Sequence, residues 1–386
     1  MAGGVIMSKN QKNYKIILKA HAPVHIGSGK DISKKEYILT KDKQAKIIDL
    51  GKLLQLIAER DLFDSYQSYM SNNNDIALDE WLRQNRISQD EIESLVDYTL
   101  DCRGSAISRR SNIKTFMKDA YGNPYVPGSS MKGCLRTILM GCYAENKQGK
   151  YTEIKNSIRS SPLTGRTAND ILKDEGNELE YTTYYTANRK NDRPDEDRKN
   201  AVNDIMAGII IGDSKPIKKD RLILCQKCDK RARYRLNNRG RNQHDDRYAL
   251  MSIFNECLAP ETQIVLPLTI NTALCNITVD EIKKAVIQFA ESYYQNFMSK
   301  FDLPHYKYMN TLWLGGNVGF PNKTVIYNLY GQQEGAVQAS RILTALGHRN
   351  RNDATVYGVS PHTINMARYN GTEYHMGECT ITIKEV

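Results

Sequence analysis

The sequence predicts an α+β protein. Short segments with the alternating apolar pattern of β-strands are mixed with longer segments of helical periodicity. The two kinds of segment do not follow each other at the regular spacing of βαβ units, and no internal repeat of short period is present. A chain of 386 residues also exceeds the usual size of one domain, so we expect two domains.

Seven segments have the pattern of strands, and they are residues 14–26, 37–39, 45–49, 207–213, 221–225, 262–270 and 378–384. Helical periodicity covers residues 51–61 and continues, in an acidic region, to about residue 100; it returns over 131–143, 279–301 and 324–346. Residues 1–13 are polar and are predicted to be disordered. A basic loop is predicted over 103–118, and an exposed insertion or mobile loop over 145–200.

The composition is that of a globular protein with a core of ordinary size, since 40% of the residues are hydrophobic and 25% are charged. No window approaches the roughly 18 apolar residues of a spanning helix, so no membrane contact is expected. The N-terminus lacks the apolar run of a secretory signal. We therefore predict a cytoplasmic protein whose eight cysteines are free thiols.

The charge is basic and unevenly distributed. The formal net charge is +10, and residues 215–247 contain twelve basic and four acidic residues. Most of the excess is thus concentrated in one stretch, which favours a polyanionic partner such as nucleic acid. The sequence alone leaves open whether this basic segment contacts RNA or protein.

The first glycine-rich motif is His25-Ile-Gly-Ser-Gly-Lys30, directly after a predicted strand. Gly27, Ser28 and Gly29 allow backbone N–H groups to approach a phosphate, and Lys30 supplies charge. A nucleotide P-loop is excluded, because Val24 stands where its first glycine is required and Asp31 where it needs Ser or Thr. The alternative to an anion site is an ordinary glycine turn.

The second motif is Val126-Pro-Gly-Ser-Ser-Met-Lys-Gly-Cys-Leu-Arg136. A turn at Gly128 is followed by a helix that Ser129 or Ser130 can cap. Lys132 and Arg136 are four residues apart and share one helical face. A helix N-terminus beside two cations can bind a backbone phosphate; an ordinary capped helix with solvated charges remains the alternative.

A third motif and a basic loop complete the predicted contact residues. The motif, Leu314-Gly-Gly-Asn-Val-Gly-Phe-Pro321, leads into a predicted helix and contributes Gly315, Gly316, Asn317 and Gly319. By itself it indicates only a flexible loop. The basic loop contributes Arg109, Arg110 and Lys114.

Two other chemistries are weighed against RNA binding. Cys225 and Cys228 have zinc-ligand spacing, but no second pair of this kind exists, and a strand with two chance cysteines explains them more simply. His21 and His25 flank a loop, and either could act as a general base. We predict neither a metal ion nor a cofactor.

Together these motifs resemble those of RAMP proteins of CRISPR systems. The three glycine-containing motifs occur in the order typical of that family, and Tyr369-Asn-Gly-Thr-Glu-Tyr-His-Met-Gly377 resembles more narrowly the fifth subunit of type III-A (Csm) effector complexes. The resemblance extends from about residue 14 to residue 386. Relatives often have a third consecutive glycine where Asn317 stands; Asn tolerates left-handed backbone geometry, so the loop is expected to survive the change.

The resemblance implies tandem RRM-like, ferredoxin-like RAMP domains with helical insertions. We expect an N-terminal domain over 14–214 and a C-terminal domain over 215–386 that begins with the basic segment. It also implies a non-catalytic subunit that binds CRISPR RNA and caps the backbone filament at the 3′ end of the guide. The partners implied are the guide RNA, the other Csm subunits, above all the backbone subunit, and host ribonucleases recruited for guide maturation in antiviral defence. The alternative is a metal-independent endoribonuclease with His25 or His21 as its base.

Overall fold

The fold is given by a computed structural model that describes residues 10–71, 76–165, 167–186, 199–233, 248–303 and 309–386. The strands in these ranges form two sheets that share one apolar core with most of the helices, while the helices between residues 50 and 94 pack in a second, smaller cluster. The α+β class predicted from the sequence is confirmed. None of the helices in the described ranges is both long and apolar enough to cross a lipid bilayer.

The strands are β1 (Gln11–Ala20), β2 (Gly27–Ile32), β3 (Tyr37–Leu39), β4 (Gln44–Ile48), β5 (Val96–Asp101), β6 (Ile113–Phe116), β7 (Ile209–Ile211), β8 (Leu222–Arg231), β9 (Tyr248–Leu258), β10 (Gln263–Asn271), β11 (Thr311–Trp313), β12 (Thr363–Tyr369), β13 (Thr372–His375) and β14 (Glu378–Glu385). The helices are α1 (Leu50–Glu59), α2 (Phe63–Ser71), α3 (Leu78–Gln84), α4 (Gln89–Ser94), α5 (Gly128–Asn146), α6 (Thr152–Ser160), α7 (Lys173–Tyr184), α8 (Val279–Asn296), α9 (Ile326–Ala345) and α10 (Asp353–Val356).

The first sheet has the strand order β11-β14-β1-β10-β7. Its central strand β1 pairs antiparallel with both β10 and β14. Ile16 and Leu18 on β1 are fully buried while Lys15 and Lys19 are exposed, which is the alternation that predicted the strand. β1 begins at Gln11, opposite Asn271 on β10. Residues 10–13, predicted to be disordered, are therefore ordered by this pairing, whereas residues 1–9 lie outside the described residues.

The second sheet has nine strands, with the order β2-β6-β9-β8-β5-β4-β3 and with β12 and β13 joined to it through β8. Two of its strands lie where the sequence predicted a helix or a loop. β5 ends the region predicted to be helical, and β6 lies within the predicted loop 103–118. Both strands are short, so their buried residues, among them Leu100 and Ile113, are too few to reveal a period of two.

Both sheets take strands from both sides of residue 214. β1 and β7 pair with strands that follow that residue, and β6 lies beside β9. The domain boundary predicted between residues 214 and 215 falls between β7 and β8. Each sheet contains strands from both sides of this boundary.

The region 145–200, predicted to be an exposed insertion or mobile loop, contains α6 and α7. Tyr151 and Tyr184 are fully buried in the main core, and Ile154 and Ile158 line the inner face of α6. With Leu179, these five buried side chains are spread over more than thirty residues of largely polar and charged sequence, so they give a weak sequence signal. Residues 166 and 187–198 of this region lie outside the described residues.

Candidate nucleic-acid interface

The first glycine motif lies on β2, at the edge of the nine-stranded sheet. The register of its pairing with β6 shifts after Gly27, so that Ser28, Gly29 and Lys30 form a bulge. Gly29 has φ of 81°, which glycine adopts without steric cost. The Ser28 hydroxyl closes the bulge: it bonds Thr115 on β6 and accepts the N–H of Lys30 at 3.1 Å. The bulge leaves the Lys30 side chain exposed.

The third glycine motif packs directly on the first. The N–H of Gly316 donates to the carbonyl oxygen of His25 at 2.7 Å. A Cβ atom on Gly315 would lie only 2.2 Å from the same oxygen, so the close approach of the two chains requires glycine there. Asn317 has φ of 59° and Gly319 φ of 92°, which confirms that Asn317 tolerates left-handed geometry. Two motifs far apart in the sequence thus form one surface.

The His25 ring is oriented from beneath this surface. Its Nδ1 lies 2.7 Å from the backbone carbonyl oxygen of Glu256; since a carbonyl only accepts, Nδ1 carries the proton. Nε2 faces Gly27, and the adjacent Cδ2 faces Gly316. Burial lowers the pKa of His25, and the positive charges of Lys114 and Lys323 lower it further, against the opposing effect of Glu256. The ring is therefore neutral at pH 7.

We use the name glycine cradle for this group of residues, namely His25, Gly27–Lys30, Lys114, Gly315–Asn317 and Lys323. Lys30, Lys114 and Lys323 are exposed, and Lys114 lies directly opposite Asp31 of β2. Glycines that expose backbone, flanked by three lysines, suit the sugar-phosphate backbone of a nucleic acid. No residue of the cradle other than His25 has a ring on which a base could stack.

A buried ion pair supports the cradle, and sequence analysis did not identify it. The carboxylate of Glu256 is fully buried; it accepts the N–H of Phe116 at 2.8 Å and bonds the Lys118 ammonium at 2.6 Å. The hydroxyl of Tyr98 donates to the same carboxylate. The backbone carbonyl oxygen of Glu256 also accepts the hydrogen bond of His25 Nδ1, which fixes the orientation of the His25 ring. No sequence pattern distinguishes this acid, because it lies on β9, which the sequence did not predict.

The second motif lies on α5, at the end of β7. The N–H of Gly128 donates to the Asp213 carboxylate at 2.8 Å, and a Cβ on Gly128 would lie 2.1 Å from the carbonyl oxygen of Ile211. The helix N-terminus, predicted to bind a phosphate, thus already faces an anion of the protein itself, which the helix dipole favours. Ser129 is exposed and Ser130 half-buried; Pro127 is the N-cap of α5, so both serines lie within the first turn and not at the predicted cap position.

The two cations of this motif differ in their surroundings. Arg136 pairs with Glu180 at 2.8 Å and with Asp204 at 3.0 Å, and its guanidinium lies 4.4 Å from the centre of the Tyr184 ring. Burial lowers the pKa of Lys132. Because two carboxylates already neutralise Arg136, it is less suited to bind phosphate than the cradle lysines. Contacts of Ser129, Ser130 and Lys132 with RNA stay a prediction.

The remaining basic residues are dispersed. Arg109 pairs with Asp79 of α3 at 3.1 Å, and Arg110 is exposed beside it. In the basic segment, residues 234–247 lie outside the described residues. Of the part that is described, Lys219 pairs with Asp97 at 2.5 Å, and Lys230 is buried on β8. That part is therefore not a uniform cationic surface.

The other candidates from the sequence are the cysteine pair and His21. Cys225 and Cys228 are fully buried on β8 and belong to different apolar clusters, so neither has the surroundings of a metal ligand. In the described ranges, no group of three His, Cys, Asp or Glu side chains is arranged to hold one. His21 bonds the Thr380 hydroxyl of β14 through Nε2 at 3.0 Å.

The chain was compared with models of protein families and with individual relatives, and both comparisons give matches. The sequence model of the RAMP superfamily matches residues 17–321. A relative in Streptococcus thermophilus, named CRISPR system Cms protein Csm5, is 26% identical, and the alignment covers 98% of this chain and 99% of that protein. A protein of the same name in Enterococcus italicus is 32% identical over 39% of this chain and 50% of its own length. The resemblance predicted from the motifs is thereby confirmed.

Solved structures show the same fold. A chain in the cryo-EM structure of the Csm-crRNA-target RNA ternary complex of a type III-A CRISPR-Cas system superposes with a TM-score of 0.63 at 16% identity, over 96% of this chain and all of that chain. The crystal structure of T. onnurineus Csm5 gives a TM-score of 0.56 at 17% identity, over 94% and 99% of the two chains. The predicted RAMP-type fold is therefore confirmed.

Proposed function

The chain belongs to the RAMP superfamily, and from that premise we propose that it is a non-catalytic subunit of a type III-A CRISPR effector complex that holds the CRISPR RNA in the glycine cradle. The observation that carries the proposal is the packing of the first and third glycine motifs around His25, between exposed lysines. In this role the subunit caps the backbone filament at the 3′ end of the guide, beside the backbone subunit. It also supports guide maturation by recruited ribonucleases.

The cradle suits contacts that do not depend on base sequence. Lys30, Lys114 and Lys323 present ammonium groups to phosphates, and the glycines allow the RNA backbone to approach the protein backbone closely. A subunit that caps guides of different sequence needs contacts of this kind. The relatives' common name and the solved Csm-crRNA-target RNA complex support the choice of RNA and partner subunits.

Contacts with protein partners are supported by a different surface, on α1 and α2. Leu50, Leu54, Phe63 and Met70 are between 43% and 55% exposed, although large apolar side chains are usually buried. Residues 50–95 contain nine acidic and four basic residues, in a chain whose net charge is +10. An acidic, apolar surface repels RNA and suits a basic protein.

The proposal predicts that single lysine substitutions in the cradle weaken RNA binding and reduce its salt dependence. Lys114→Gln and Lys323→Gln should each remove about one phosphate contact and lower the slope of log affinity against log salt by about 1. Affinity for single-stranded RNA would be measured by fluorescence anisotropy over a range of salt concentrations. Lys41→Gln is the matched control, because Lys41 is an exposed lysine in the β3–β4 turn, at the opposite edge of the sheet from β2. Equal effects of all three substitutions would contradict the assignment.

A second function, metal-independent RNA cleavage, is favoured by one observation. His25 has the oriented, neutral ring that a general base requires. The purified protein would be incubated with repeat RNA, and the products would be separated on a denaturing gel. Cleavage that disappears in His25→Ala would replace the non-catalytic proposal with this one; intact RNA is the result that we expect.

A further inference from the structure

We propose that Nε2 of His25 accepts a hydrogen bond from a ribose 2′-hydroxyl, and that this contact makes the cradle select RNA over DNA. The inference rests on the proposed function, because it names the group of the RNA that the cradle recognises. It does not require the protein to cleave RNA.

The tautomer of His25 is fixed by its surroundings. Nδ1 lies 2.7 Å from the carbonyl oxygen of Glu256 and must donate to it, so in the neutral ring Nε2 carries only a lone pair. The side chain is only 5% exposed, and within the described ranges no residue bonds Nε2. Nε2 is not one of the fully buried polar atoms that lack a partner in the described ranges; it is an acceptor that opens onto the binding surface and can take a donor supplied there.

Two glycines keep this nitrogen open. A Cβ atom on Gly27 would lie 3.1 Å from Nε2, and a Cβ on Gly316 would lie 3.1 Å from the adjacent Cδ2 of the ring. A side chain at Gly27 would therefore cover the acceptor. Gly27 has no positive φ, so the turn itself does not demand glycine, and access to His25 gives a reason for glycine at this position.

The chemistry of the donor follows from the group that the cradle faces. Phosphate oxygens at neutral pH only accept hydrogen bonds, and the sugar of DNA carries no hydroxyl along the chain. The 2′-hydroxyl is the donor that distinguishes the RNA backbone from that of DNA. Lys114 and Lys323, whose charges act on the His25 ring, would hold the neighbouring phosphates. Base edges also carry donors, but contacts to them would make binding depend on sequence, and the cradle has no further ring to hold a base.

The test compares four single strands of one sequence, namely RNA, DNA, 2′-fluoro RNA and 2′-O-methyl RNA. 2′-Fluoro RNA keeps the sugar conformation of RNA but has no hydrogen to donate. The wild-type protein should bind RNA about three- to tenfold more tightly than 2′-fluoro RNA, as expected for one net hydrogen bond. DNA and 2′-O-methyl RNA should also bind less tightly than RNA. Equal affinity for RNA and 2′-fluoro RNA would overturn the inference while leaving phosphate binding, and hence the proposed function, intact.

Protein variants locate the effect. Gly27→Ala retains His25 but covers Nε2, and His25→Phe keeps a ring without either nitrogen; whatever their overall affinity, both should bind RNA and 2′-fluoro RNA equally tightly. Gly133→Ala, at an exposed glycine of α5 with open space around it, should keep the preference. If Gly27→Ala fails to fold, the wild-type comparison still decides. An RNA preference that survives both cradle variants would also overturn the inference, and failure to bind any strand would overturn the proposed function as well.

Discussion

Replacing Glu256 by leucine is expected to lower the free energy of unfolding by about 3 kcal/mol. The substitution leaves the Lys118 ammonium without its carboxylate partner at 2.6 Å, and it removes the acceptor of the Phe116 N–H. Burial makes both losses costly, because Glu256 is fully buried and the Lys118 side chain is only 19% exposed. Urea denaturation of the wild type and the variant measures the difference.

A second variant separates the lost charge pair from the change of shape. Glu256→Leu combined with Lys118→Met removes both charges, and it should recover at least half of the lost stability, because buried ion pairs are often replaced by apolar side chains at little net cost. A loss smaller than about 1 kcal/mol for Glu256→Leu alone would show that the Lys118–Glu256 pair does not support the cradle as described.

Gly315→Ala is expected to reduce RNA affinity roughly a hundredfold. The new Cβ would lie 2.2 Å from the His25 carbonyl oxygen, and Gly315 has φ of 102°, so the third motif must move away from the first. Phosphate contacts on the two sides of the cradle then no longer align; two such contacts, each worth about 1.5 kcal/mol, account for the expected loss. Stability should also fall by about 1–2 kcal/mol, because a side chain is disfavoured at positive φ.

The control for this substitution is Gly133→Ala. Gly133 is exposed on α5 and has no atom within 4 Å of its ideal Cβ position, so alanine there should be neutral or stabilise the helix slightly. Thermal unfolding and RNA binding of both variants would be measured side by side. If the Gly315→Ala protein binds RNA as tightly as the Gly133→Ala protein, the packing of the two motifs is contradicted.

Motifs in the sequence predicted the parts of the cradle but not their assembly. Gly27–Lys30 and Gly315–Asn317 are visible as glycine-rich loops, and their residues were predicted to bind RNA. Their contact depends on the tertiary fold, since the first motif lies on β2 of the nine-stranded sheet and the third follows β11 of the five-stranded sheet, and no local pattern encodes it. Glu256 and Lys323 were missed for the same reason, because single charged residues have no signature until the fold places them.

Local chemistry was also an incomplete guide at α5. Gly128 and the hydroxyls that follow were predicted to bind an anion, and an anion is indeed present, but it is the carboxylate of Asp213. Arg136 was predicted to face phosphate, and it pairs with Glu180 of α7. The packing of α7 and of the end of β7 against α5 could not be inferred from the sequence of either segment.

The central claim is that guide RNA lies in the glycine cradle. Ultraviolet crosslinking of this subunit to guide RNA within the assembled effector complex, with the crosslinked peptides identified by mass spectrometry, tests it most directly. We predict crosslinks in the peptides that contain Gly27–Lys30, Lys114, Gly315–Asn317 and Lys323. Crosslinks confined to α5 or to residues 50–95, with none in the cradle, would contradict the claim.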